Sequence, residues 1–206
     1  MTLEILEEGP SRLSDYATVP IRFEVAEVFD ARAIEQLRRG EQASPVAIRA
    51  PYVKDYDGYA GHHPKEWPTR FDVSDWSFLA AYSDSRRVGG AVVAVADPRL
   101  ELVGESPELA LLWDLRVAPE MRGRGVGSAL VTAAEHAAAR RGARALRVET
   151  QQVNVAACRL YQRHGFSLDR ISPDAYPSLP DEIQLLWSKS IGSHVSNQPP
   201  TSGACT

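Results

Sequence analysis

The stretch RGRGVGSAL, residues 122–130, sets three glycines and two arginines within six positions and then enters an alanine-rich run. Glycine lets a chain turn tightly and lets a ligand approach the backbone. The first turn of a following helix carries N–H groups without intrahelical acceptors and the positive end of the helix dipole. With Arg122 and Arg124 added, the pattern suits a phosphate or pyrophosphate. The plain alternative is a strand-to-helix turn that needs only glycine. A P-loop places a lysine and Ser/Thr after its last glycine. Here Gly127 is followed by Ser128 and Ala129, with no lysine nearby. A Rossmann turn fits nearly, with Gly123, Gly125 and Ser128 at its glycine positions and Glu149 ending the next strand. It fails at the third glycine, at the intervening APEM (118–121), and at the hairpin strands expected before the unit.

The elements that must position this loop are legible on either side of it. WSFLAAYS (76–83) and GGAVVAVA (89–96) read as a hairpin joined through DSRRV, and LALLWDLRV (109–117) as a third strand. A helix is expected from about Gly127 to Arg141, stopped by Gly142, followed by a strand at ARALRVET (143–150). Asn154 caps a second helix, VAACRLYQRH (155–164), which Gly165 ends. FSLDRIS (166–172) and EIQLLWSKS (182–190) read as a closing strand pair. Further forward, IRFEVAEV (21–28) alternates like a strand, and ARAIEQLRR (31–39) is a short helix between Asp30 and Gly40. Residues 50–76 mix aromatics with Pro, Gly and Asp and read as an ordered loop. The order predicts an α+β fold: a mixed, mostly antiparallel sheet with helices on both faces.

Composition narrows the class. The chain has 206 residues, a length suited to one domain, here expected over 1–191. The tail from Gly192 is polar, rich in Ser and Pro, and expected to be disordered. A net charge of -4, with arginines spread along the chain, gives no electrostatic reason for a nucleic-acid partner. No run approaches the roughly 20 apolar residues of a membrane span. The acidic MTLEILEEGP does not follow the plan of a signal peptide, and two cysteines make no disulfide framework, so a cytoplasmic location is expected.

LRVAPEMRGRGVGSAL resembles motif A of the GCN5-related N-acetyltransferases, the GNAT superfamily, with its core at Arg122, Gly125 and Gly127. Asn154, Ala157, Tyr161, Gly165 and Phe166 fall at the spacing of motif B. LLWDLRV, RVETQQVNVAACRLYQRHGF and QLLW look closest to the streptothricin-acetyltransferase-like branch. The resemblance covers roughly residues 75–190.

The resemblance implies a splayed parallel strand pair, LLWDLRV and ALRVET, holding the thioester of acetyl-CoA as co-substrate. The backbone of Arg122, Gly123, Arg124, Gly125, Val126 and Gly127 would bind its pyrophosphate. Leu115, Arg116 and Val117 would pair with the pantetheine arm, and Asn154 would touch the same arm while capping its helix. Tyr161 takes the place of the general acid that protonates the leaving thiolate; a core tyrosine is the plain reading of the same helix face. An amine nucleophile must lose a proton, and Asp114 and Glu149 are the candidate bases. Cation binding is equally open for either, and Asp114 has an alternative in pairing with Arg116 on the same strand face. Many relatives carry an acidic residue where this chain has Trp113.

Other residues read plainly. Adjacent His62 and His63 are poorly spaced for one metal, no metal is expected, and Cys158 is a core residue. Tyr52, Tyr56, Tyr59 and Trp67 either cover the acceptor cleft or pack beneath a long loop; Tyr176 and Trp187 are further candidates to line that cleft. The expected acceptor is a primary amine of a small molecule, such as a streptothricin-like antibiotic. A protein amine, and a CoA-binding module without catalysis, are the alternatives. A homodimer would be in keeping with the resemblance.

Overall fold

A computed structural model describes residues 2–95, 100, 106 and 108–192. Ala96 of the second hairpin strand, and the tail from residue 193 with Cys205, lie outside the described residues. The elements follow in order: β1 (Leu3–Glu8), α1 (Leu13–Tyr16), β2 (Phe23–Val28), α2 (Ala31–Arg38), β3 (Val46–Lys54) and α3 (Trp67–Arg70). Then come β4 (Ser77–Ser83), β5 (Arg86–Val95), β6 (Leu109–Val117), α4 (Val126–Arg140), β7 (Ala145–Gln151), α5 (Val155–Arg163), β8 (Ser167–Ser172) and β9 (Gln184–Ser190).

Seven strands form one sheet in the order β1-β4-β5-β6-β7-β9-β8, in which β6 and β7 are the parallel pair. All other neighbours in it run antiparallel. β2 and β3 make a separate two-stranded sheet. Period-2 alternation divides the core. Ala91 and Val93 of β5 join α2, α4 and α5 in one cluster, while Val92 and Ala94 join α1 and α3 in another. Helices therefore cover both faces, and the mixed α+β architecture expected from the sequence is the one observed.

Local chemistry explains the boundaries. Asp30 accepts from the Ala33 N–H at 2.8 Å and opens α2. Gly142 and Gly165 follow their helices at φ +84° and +77°, left-handed values that glycine adopts without strain. The β4–β5 turn is tighter than DSRRV suggested. Asp84 and Ser85 alone make it, both at positive φ as a type I′ hairpin turn requires, and Arg86 and Arg87 already belong to β5.

Two strands depart from the sequence reading. β1 lies at the sheet edge against β4, with Leu3 and Ile5 on the core, Glu4 exposed, and Glu7 and Glu8 paired with Arg140 and Arg87. β3 occupies the first part of the segment read as a loop. It is exposed along nearly all its length and contains Pro51, so it has neither the alternation nor the composition of a buried strand.

Gly89 and Gly90 fix how closely the layers approach. A Cβ at Gly89 would lie 2.9 Å from the Arg116 carbonyl oxygen and 3.2 Å from Val126. At Gly90 it would lie 2.4 Å from the Tyr16 ring and 2.8 Å from the Leu79 carbonyl oxygen. Gly90→Ala is expected to destabilise the fold by about 1–3 kcal/mol, the usual penalty of overpacking. Urea denaturation measures it, and an unchanged midpoint would show that α1 is not seated against β5 as described.

Candidate functional site

β6 and β7 pair only from Leu109↔Ala145 to Leu112↔Val148. Beyond that, β6 stays with β5 as far as Val117, and β7 stays with β9 as far as Gln151. The strands part, and a cleft of about 810 Å³ opens between them. The break coincides with a bulge: Val93 pairs with Leu112 but Val92 with Asp114, leaving Trp113 as the extra residue. A bulge reverses the inside–outside phase of a strand. Leu109, Leu111 and Trp113 face the α1–α3 side, and after the bulge Leu115 and Val117 face α4 and α5. Asp114 and Arg116 are thereby turned toward α1.

At one end of the cleft lies the glycine loop. Gly123 and Gly125 have φ of +72° and +86°, and Gly125 starts α4 without a side-chain cap. The N–H groups of Val126, Gly127 and Ser128 have no acceptor within their own helix, and the glycines and Ser128 line the cleft. Val126 buries its side chain in the core and is not among the cleft-lining residues. Arg122 braces the loop: its Nε donates to the Val117 carbonyl at 3.0 Å and its Nη2 to the Arg22 carbonyl at 2.8 Å. Arg124 is exposed and is not among the cleft-lining residues.

Below the bulge, the Arg116 guanidinium is wholly buried. It donates to Asp114 at 2.8 and 2.7 Å, to Asp57 at 3.0 and 3.2 Å, and to the Val19 carbonyl at 3.1 Å. Its cationic carbon sits 4.9 Å from the Tyr16 ring centre, and the Tyr16 hydroxyl donates to Asp114. Burial opposes the Arg116 charge, but Asp114 overcomes this and raises its pKa. The pairing of Asp114 with Arg116 weighed from the sequence is thus present. Asp57 and Tyr16 complete the cluster; no sequence pattern marked them, because they come from distant segments.

Glu149 is the first β7 residue past the last parallel pair, and it lines the cleft. Burial raises its pKa, against hydrogen bonds from Tyr176, Gln184 and Gln151. Asn154 caps α5 by accepting from Ala157 N–H at 3.2 Å and also borders the cleft. Tyr161 is buried between Phe166 and the cleft; burial, then the Asp114 charge, pushes its phenol upward, so it stays protonated. Burial likewise drives the Cys158 thiol up to about 12, and it meets Thr150 at 3.4 Å. Trp187 is fully buried and donates to Thr150, which makes it core rather than cleft wall.

The aromatic segment divides. Tyr56 and Trp67 border the cleft, Tyr52 is exposed, and Tyr59 packs on Lys54 and His62. His62 also lines the cleft; burial, then Arg70, lowers its pKa and keeps it neutral. Lys54 and Glu182 form a buried ion pair that ties β3 to the segment before β9.

The family described as the acetyltransferase (GNAT) family matches residues 47–166. The chain belongs to the GNAT acetyltransferases. The streptothricin acetyltransferase of Escherichia coli is 29% identical over 181 residues, 86% of this chain and 91% of that protein. The streptothricin acetyltransferase of Streptomyces lavendulae is 29% identical over 132 residues, 64% of this chain and 66% of that one. A solved nourseothricin acetyltransferase has a TM-score of 0.68 at 25% identity, covering 93% of this chain and 100% of that one. A Bacillus anthracis acetyltransferase in complex with acetyl coenzyme A has a TM-score of 0.69 at 20% identity, covering 93% and 100%.

This GNAT chain is therefore an acetyl-CoA-dependent N-acetyltransferase with acetyl-CoA as co-substrate. Its own residues fit that molecule. The loop offers unpaired N–H groups for a pyrophosphate, and β6 beyond Leu112 has a free edge toward the cleft for an extended arm.

Two substitutions test this geometry. A Cβ at Gly125 would meet nothing within 4 Å, so Gly125→Ala acts through backbone conformation alone. We expect a loss of about 1–2 kcal/mol of stability and at least a tenfold rise in the acetyl-CoA Kd by calorimetry. Unchanged affinity would remove the loop from the site. Arg116→Met leaves two buried carboxylates without their cation and should cost about 3–5 kcal/mol. A urea midpoint close to wild type would mean that Asp57 and Asp114 are separately satisfied.

Proposed function

We propose that the enzyme acetylates a primary amine of a small cationic molecule of the streptothricin kind, by direct attack in a ternary complex. The observation that carries this reading is the cleft lining: Glu149, Asp57 and Asp114 border it, the two aspartates sharing the single cation Arg116, together with Tyr56, Trp67 and Trp113. Carboxylates and aromatic faces suit an ammonium-bearing acceptor. The names of the similar streptothricin acetyltransferases support the same class.

The base is assigned to Glu149. Both Asp114 oxygens already hold Arg116, with Tyr16 sharing one of them. Glu149 also lines the cleft, where the strands part, but its donors are neutral, and burial shifts it toward proton acceptance. In the reaction, Glu149 takes the proton from the attacking nitrogen as the N–C bond forms and the C–S bond breaks. Tyr161 supplies a proton to the departing sulfur. Its phenol is a weaker acid than an ordinary thiol, near 8.5, but the same apolar surroundings raise a thiolate's affinity for protons too. Asn154 and the free β6 edge hold the arm, with a backbone N–H near Leu115 polarising the carbonyl.

Thiol release across a panel of streptothricin, simple diamines and N-terminal peptides tests the assignment. Streptothricin is expected to give the highest kcat/KM, and Glu149→Gln to lower it by about 10²–10⁴-fold, the usual worth of a positioned base. Faster turnover of peptides would shift the acceptor class. A fully active Glu149→Gln enzyme would return the proton transfer to His62 or water.

A further inference from the structure

Three separate segments meet at the end of β7. The Tyr56 hydroxyl donates to Gln151 Oε1, and Gln151 Nε2 donates to the Tyr176 hydroxyl at 2.7 Å. The Tyr176 hydroxyl in turn donates to Glu149 Oε1. Gln184 Nε2 reaches the other oxygen, Oε2, at 3.0 Å. The chain has one direction: every hydroxyl or amide donates to the next group, and the last acceptor is the carboxylate. Such chains polarise each bond in the same sense.

We propose that Tyr176 is a positioning residue for acetyl transfer: held by Gln151, its hydroxyl fixes the Glu149 carboxylate at the cleft wall and sets the pH at which that carboxylate takes the amine proton. The inference rests on the reading of Glu149 as the base. A buried carboxylate without donors prefers its neutral form, and a donor to the ionised form opposes that preference. Tyr176 can hold this role because burial, then the Glu149 charge, pushes its own phenol up, so it remains a donor at any working pH.

The other donors to the carboxylate are amides, Gln184 of β9 at 3.0 Å and Gln151 of β7 at 3.4 Å, and of the three the Tyr176 hydrogen bond opposes the effect of burial most. Arg170 of β8 acts on Glu149 through its charge without a hydrogen bond. Tyr56 stays protonated through burial. Across the cleft, Asp114 of β6 is matched to Arg116, and His62 is neutral. Tyr176 comes from the segment between β8 and β9, and Tyr56 from the segment after β3. The carboxylate is therefore oriented through two separate segments: that of Tyr56, which borders the cleft, and that of Tyr176, which lies behind Glu149 and is not among the cleft-lining residues.

The test compares kcat/KM between pH 5 and 9 for wild type, Tyr176→Phe, Gln151→Leu and Glu149→Gln, with acetyl-CoA affinity and thermal midpoint as controls. It also follows the Glu149 carboxyl by carbon-13 NMR in the free enzyme. Loss of the donor weakens the ionised form, so the acidic limb and the NMR titration should both move to higher pH. About one pH unit is expected for Tyr176→Phe, with a smaller move in the same direction for Gln151→Leu. Glu149→Gln should abolish the limb. If Glu149→Gln abolishes it while Tyr176→Phe and Gln151→Leu leave it in place, Tyr176 does not set the titration and the inference falls, with the base assignment intact. If Glu149→Gln keeps the limb, the base assignment fails and this inference with it. Should Tyr176→Phe not fold, Gln151→Leu carries the same comparison.

Discussion

Everything in the site depends on β6 and β7 ceasing to pair after four residues on each strand. Backbone N–H and C=O groups need partners wherever they are shielded from water. The free edge of β6 therefore has an unmet demand along the wall of the cleft. An extended molecule with amide groups meets it as a missing strand would. The Trp113 bulge creates the separation and reverses the strand's phase at the same step. One backbone irregularity thus opens the groove and turns Asp114 and Arg116 toward α1. The tryptophan itself is held in a cage with Trp67, Phe71 and Trp76, at ring separations of 6.1, 5.1 and 5.5 Å.

The groove is kept open by polar anchors rather than by apolar packing alone. Arg116 connects β6 to Asp57 of the segment after β3 and, through Val19 and Tyr16, to the region of α1. Lys54 and Glu182 connect β3 to the segment before β9. Buried ion pairs of this kind add little net stability compared with apolar packing, but breaking one is costly. Their effect is to fix where the small β2–β3 sheet sits. Without them, two hydrogen-bonded strands with an exposed outer surface would have little reason to keep one orientation.

The central half of this architecture was legible in the amino-acid sequence. Continuous apolar runs in β4, β5 and β6, glycine stops after α4 and α5, and the Asn154 cap are local signals, and each appears where expected. The glycine loop was legible because its chemistry is carried by consecutive residues. The acceptor side was not. Tyr16 reaches Asp114, Asp57 reaches Arg116 and Tyr56 reaches Gln151 across 59 to 98 positions of chain. Nothing in the spacing of such residues announces their meeting. β1 and β3 escaped notice for a related reason: an edge strand rich in acids and an exposed strand containing proline bury too little to leave an alternating imprint. Asp114 shows the opposite case. Its interruption of an apolar strand was visible, and the same-face partner at Arg116 was deducible from strand geometry alone.

On the proposed reading, the glycine loop and the segment after β3 would hold their ligands with different materials. Backbone N–H groups would do the work at the loop, and most substitutions that respect the glycines leave those groups in place. Side chains would do it at the proposed acceptor wall, where Tyr56, Asp57 and Trp67 stand on short helical turns outside the main sheet. The enzyme is thus modular in an evolutionary sense. The acceptor wall can drift residue by residue toward new amines while the donor half, written in main chain, stays constant. Loss of one acceptor and gain of another would leave no trace in the stretch RGRGVGSAL.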